Sequence, residues 1–136
     1  MGTHIDSSVN QNAMARIYLA HPLELNSYSA AHKFMLDALL SVQENLPEPA
    51  REAISLSRHF AEKEVDPQAE EHMRMKLWKS ISGREMEDSQ EVLGIRATIC
   101  ILFLGSDEPP SPADVLEFFL DVFNAAKFPQ YCPLLN

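Results

Sequence analysis

The stretch Val92–Leu104, VLGIRATICILFL, decides how the rest of the chain is read. Arg96 is its only charge, and Gly94 and Gly105 punctuate it. From Ala97 to Leu104 it is apolar on all sides, and a helix of that kind is buried all round, as a central helix is. Ile99, Ile101 and Phe103 would equally suit a buried strand. Helix is the expectation, because the neighbouring segments have helical periodicity and a lone strand would leave its backbone hydrogen bonds unmet. The strand alternative stays open at this point. The helix reading runs from about Met86 to Leu104, with capping-box spacings at Ser82–Glu85 and Asp88–Glu91.

On the C-terminal side, Ser106–Pro112 (SDEPPSP) is a turn-rich linker. Ser111, Pro112 and Asp114 then make a helix start: an N-cap, a proline at the first position and an acid at the third. The last helix, about Pro112 to Lys127, has Val115, Leu116, Phe118, Phe119, Val122, Phe123 and Ala126 inward or flanking. Asp114, Glu117 and Asp121 fall along the opposite face. The tail from Phe128 to Asn136 carries Pro129 and Pro133 and is expected to be extended and docked through Phe128, Tyr131, Leu134 and Leu135.

On the N-terminal side, Asp66-Pro67 announces a helix with Ala69, Met73, Leu77, Trp78 and Ile81 on its apolar face and Gly83 as its cap. A preceding helix starts near Pro49 and buries Ala53, Ile54, Phe60 and Ala61, with Leu56 at the edge. The short connection makes the two an antiparallel hairpin. Before them, Ser29 is the expected cap of a helix carrying Ala31, Phe34, Met35, Ala38, Leu39 and Val42, ending near Leu46. Ala13 to Ala20 reads as a short helix or a strand, and residues 1–12 as a flexible arm. The expected fold is all-α: one domain over residues 13–136, a bundle of about five helices around a central buried one.

The charge is unevenly placed. The net charge is −9, and residues 85–136 hold nine acids against only Arg96 and Lys127. Phosphate backbones are repelled by such a half, which argues against nucleic-acid binding, whereas a basic protein is attracted and steered. The apolar stretch is too short to cross a bilayer. No basic region followed by an apolar run opens the chain, and Asp6 stands where a myristoylation motif needs Ser or Thr, so a cytoplasmic location is expected. Cys100 reads as a buried hydrophobe; a disulfide to Cys132 is neither required nor excluded by the spacing.

Catalytic chemistry finds little support. His4, His21, His32, His59 and His72 form no metal-ligand spacing; His59 and His72, on the two hairpin helices, could meet in space but read as surface or groove residues. There is no GxSxG, Walker or dinucleotide motif, so neither a nucleophile nor a cofactor is expected. The adjacent acids Glu70-Glu71, Glu87-Asp88 and Asp107-Glu108 point apart on a helix and form solvated faces. What remains is a surface. The expected partner-binding residues are Asp107, Glu108, Asp114, Glu117, Asp121, Glu87, Asp88 and Glu91, with Asp107, Glu108 and Asp114 as the closest patch. Arg96 is expected to pair with Glu91 or Asp121. One of Phe118, Phe119 and Phe123 is expected in a groove or at a self-association surface.

Leu46–Ile54 (LPEPAREAI), followed by Phe60 and a second helix after Asp66, resembles bacterial helical immunity proteins over about residues 34–82. The matching residues are Pro49, Arg51, Glu52, Ala53 and Ile54. Phe60 stands near the family's usual Trp, and the second helix is not alanine-rich. The resemblance implies a non-catalytic, cytoplasmic helical domain that binds and blocks a cognate toxin. The charge of the C-terminal half would suit a basic toxin. The alternative is a helical regulatory or adaptor protein acting as a homodimer.

Overall fold

The computed structural model describes residues 27–128. They form five α-helices: α1 (Tyr28–Ser41), α2 (Glu48–Glu62), α3 (Pro67–Ser80), α4 (Gln90–Ile99) and α5 (Pro112–Ala126), with a short 3₁₀ turn at Gln43–Asn45. Among the described residues there is no strand. The expectations for residues 1–26, for the tail beyond Phe128 and for Cys132 lie outside this range.

α4 is the central helix. Val92, Leu93, Gly94, Ile95, Ala97, Thr98 and Ile99 are all buried, and α2, α3 and α5 pack on it. Ser89 caps it by accepting the Val92 N–H at 3.3 Å. The backbone passes close to its neighbours at Gly94, where a Cβ would lie 2.8 Å from Leu46 Cδ2 and 3.2 Å from the Phe128 ring. Phe128 is buried there and packs on Phe123, so the first residue of the tail is docked.

The expected helix Met86–Leu104 is too long at both ends. Glu85–Asp88 are exposed in turns, and the helix stops at Ile99. Cys100–Gly105 leave as a non-helical segment, in which Cys100, Ile101 and Leu102 are buried. The segment is therefore neither the expected helix nor a paired strand. The N–H groups of Cys100, Ile101 and Leu102 bond back to the carbonyls of Ala97, Thr98 and Ile99, and side chains take the carbonyls of the same three residues, an arrangement that periodicity does not encode.

Smaller differences follow from local chemistry. α1 starts at Tyr28 behind Ser27, not at Ser29, and gives way to the 3₁₀ turn before Leu46. Ala61 is exposed and Ser57 is buried on α2. On α3, Asp66 Oδ1 accepts the Gln68 and Ala69 N–H groups at 3.0 and 3.3 Å, as its position before Pro67 predicts. Gly83 adopts its left-handed backbone (φ 81°) in the turn beyond α3, whose cap is Ile81. The antiparallel α2–α3 hairpin forms as expected, and Lys76 Nζ crosses it to Glu52 Oε2 at 2.6 Å.

Candidate protein-binding face

The segment after α4 organises the surface around it. Three successive carbonyls each meet a side chain from a different helix. The Tyr28 hydroxyl of α1 donates to Cys100, Ser57 of α2 donates to Ile101 at 3.1 Å, and Arg74 of α3 donates to Leu102. Two N–H groups complete the set: Leu104 and Gly105 donate to the two carboxylate oxygens of Glu70 at 2.7 and 2.8 Å. Glu70 is 1% exposed. Its solvated-face expectation fails because the carboxylate is the acceptor for both amides and sits 4.0 Å from Arg74. Glu71, its neighbour, does point to solvent. Gly105 is held close to the start of α3, where a Cβ would lie 2.8 Å from Val65 Cγ1 and 3.2 Å from Pro67 Cα.

His59 and His72 are exposed, as expected, whereas His32 is buried and its Nε2 lies 2.6 Å from Ser57 Oγ. Ser57 has one proton and gives it to Ile101, so the neutral imidazole donates from Nε2 to Ser57. That is the reverse of the polarity a histidine base needs toward a serine nucleophile. The pair therefore serves the scaffold. Burial pushes the His32 pKa down to about 4, opposed in part by the Ile101 carbonyl. Burial likewise raises the Tyr28 hydroxyl and pushes the Cys100 thiol up to about 12.

With these polar groups turned inward, the outer side of the segment is an apolar groove between α3 and α5. Trp78 and Phe118 form its walls, and Ile99, Cys100, Phe103 and Val115 form its floor. It encloses about 300 Å³, with Asp114 on its rim. Trp78 is 43% exposed and Phe118 39%, and Met75, one turn before Trp78 on α3, is 61% exposed. Trp78 was expected in the core with Leu77. Adjacent helical residues diverge by about 100°, and Leu77 takes the buried direction. Arg96 lies over the Phe118 ring at 5.3 Å, a cation–π contact.

The acids separate into three places. Glu87 and Glu91 both reach Arg84, at 3.1 and 2.8 Å. Glu91 thus meets Arg84 instead of the expected Arg96. Hydrogen bonding to Arg84 lowers the Glu87 pKa. Asp88 is exposed nearby in sequence. Asp107 and Glu108 line a second hollow of about 440 Å³ with Glu71 and Arg74. Asp114 belongs to the aromatic groove, and the exposed Glu117 and Asp121 continue along α5. The expected single patch of Asp107, Glu108 and Asp114 is thus divided between two adjoining hollows.

Met75 and Glu71 join this face without having been singled out by the sequence. Their signal was the spacing Glu71–Met75–Trp78, one stripe of α3 that is not the Leu77 stripe. Among the described residues no group of three or more His, Cys, Asp or Glu side chains is placed to hold a metal ion. Nor, among them, is any helix long and apolar enough to cross a membrane. Compared with protein-family models, curated proteins and solved structures, the chain finds no match.

Proposed function

We propose that this chain is a non-catalytic binding protein that captures a basic protein partner, and that the partner is a toxin whose working surface it covers. The observation that carries the reading is the exposed acidic face of the linker and α5: Asp107, Glu108, Asp114, Glu117 and Asp121 all stand in solvent. They are exposed, whereas the Glu70 carboxylate is buried on the Leu104 and Gly105 amides. Like charges carried along one linker and helix repel one another in the free protein, and a cationic surface relieves that repulsion and is steered toward it. The resemblance of Leu46–Ile54 to helical immunity proteins supports the finer statement that the partner is a toxin in a bacterial cytoplasm. A homodimer through this face is disfavoured, because two-fold pairing would bring a second copy of the same acids to the interface.

The test is co-expression with the product of the neighbouring gene. Restored growth and a 1:1 complex whose association slows as salt rises are expected. A folded protein that neither restores growth nor binds that product overturns the toxin reading.

A further inference from the structure

We propose that the Trp78–Phe118 groove is the anchor point for that basic partner, and that it seats a large apolar side chain from an amphipathic, lysine- or arginine-bearing helix. The proposal rests on the reading of the chain as a protein-binding domain and gives it a location and a chemistry. Trp78 and Phe118 line this one hollow and are both left in solvent, and Met75, one turn before Trp78 on α3, is exposed as well. An apolar centre with a charged rim is the usual anatomy of a protein interface, and exposed tryptophan is the residue type most often found at its energetic centre.

The rim selects the occupant. On α5, Asp114, Phe118 and Asp121 follow at i, i+4 and i+7; on α3, Glu71, Met75 and Trp78 do the same. Acids thus flank Phe118 on the α5 wall, and Glu71 stands one turn before Met75 on the α3 wall, matching a segment in which cations flank an apolar anchor. Of the neighbouring bases, Arg96 lies over the Phe118 ring, Arg74 is turned inward to Leu102 and Phe103, and Lys76 is paired with Glu52, while Lys79 beside Trp78 is exposed. A second copy of this chain would meet acids with acids. An anionic lipid surface would be repelled.

The test uses the full chain and three defined peptides of about 14 residues, four helical turns: an amphipathic leucine–lysine helix, an alanine–lysine helix of equal charge, and a leucine–glutamate helix. Trp78 is the chain's single tryptophan, so its emission reports the groove directly. The leucine–lysine peptide should shift that emission to shorter wavelength with 1:1 saturation and move amide resonances around Met75, Trp78, Phe103 and Phe118. Phe118→Ala and Met75→Glu, each verified as folded by its thermal transition, should each weaken binding about tenfold. Equal binding of the alanine–lysine peptide, or resonances moving around Glu87 and Glu91 instead, overturns the groove while leaving the acidic-surface reading intact. Equal binding of the leucine–glutamate peptide overturns the charge selection. No binding of any peptide overturns the anchor proposal, while growth rescue judges the toxin reading separately. Concentration-dependent dimerisation abolished by Phe118→Ala assigns the groove to a second copy and overturns the basic partner.

Discussion

Replacing Glu70 by alanine tests the reasoning about the segment after α4 most directly. In the native protein its two oxygens accept the Leu104 and Gly105 N–H groups at 2.7 and 2.8 Å, and Arg74 lies 4.0 Å away. A hydrogen bond to a charged acceptor contributes about 1.5–3 kcal/mol, and a donor left without a partner in the interior costs about 1–3 kcal/mol. Both amides are part-buried, so water can recover some of the loss. Two such bonds together give an expected destabilisation of about 3–5 kcal/mol. That is a large share of the roughly 5–15 kcal/mol that holds a domain folded. Glu70→Gln keeps one acceptor oxygen but turns an NH₂ group toward the other amide, so it should lose about half as much. The assay is urea unfolding followed by far-ultraviolet circular dichroism, with the midpoint falling at unchanged slope. Glu71→Ala, one residue along and exposed, should stay within about 0.5 kcal/mol of the native protein. A Glu70→Ala loss below about 1 kcal/mol, or a Glu71→Ala loss as large as that of Glu70→Ala, would refute the idea that this carboxylate holds the segment.

Three further outcomes are expected. Gly105→Ala should destabilise by about 1–3 kcal/mol in the same urea assay, because the added Cβ meets Val65 at 2.8 Å and the Pro67 backbone at 3.2 Å; a neutral result would mean that the segment shifts freely. His32 has its pKa lowered from 6.5 to about 4 in the folded state, so the unfolded chain takes up the proton first. Its contribution to stability is present above pH 6.5 and is lost as the pH falls from there toward 4, by on the order of 3 kcal/mol in all. Unfolding midpoints between pH 7.5 and 5 should therefore fall more steeply for the native protein than for His32→Gln, and parallel slopes would count against the buried neutral ring. In a Cys132→Ser background, the Cys100 thiol, buried and raised to about 12, should react with a thiol reagent at pH 8 only as fast as the protein opens; modification at the rate of an unfolded cysteine would contradict its burial.

The groove and the clamp depend on each other. The carbonyls of Cys100, Ile101 and Leu102 point into side chains from α1, α2 and α3, which leaves the apolar side of the segment to face α5. Phe103 is the shared element. Its ring meets Tyr28 edge-on at 6.1 Å and the Arg74 guanidinium at 4.7 Å, and it also lines the groove. Loosening the clamp should therefore reach the groove. Glu70→Gln, measured while still folded, should broaden the Trp78 emission as well as lower the midpoint.

The helical class, the hairpin and the helix starts at Asp66-Pro67 and Ser111-Pro112 are legible in the amino-acid order alone. Those features rest on local chemistry: periodicity, proline geometry and capping act within a few residues. The acidic C-terminal half is legible there too, since charge is a property of composition. Where α4 ends is set by long-range packing, because Cys100–Gly105 are held by Tyr28, Ser57, Glu70 and Arg74, which lie between 28 and 72 residues away. Periodicity along a chain carries no record of such bonds. For the same reason Glu70 and His32 were legible as an acid and a histidine but not as interior groups. The division of the acids between two hollows, and the exposure of Trp78 beside Phe118, likewise follow from how α3 and α5 approach the segment after α4, a relation between elements that no single element contains.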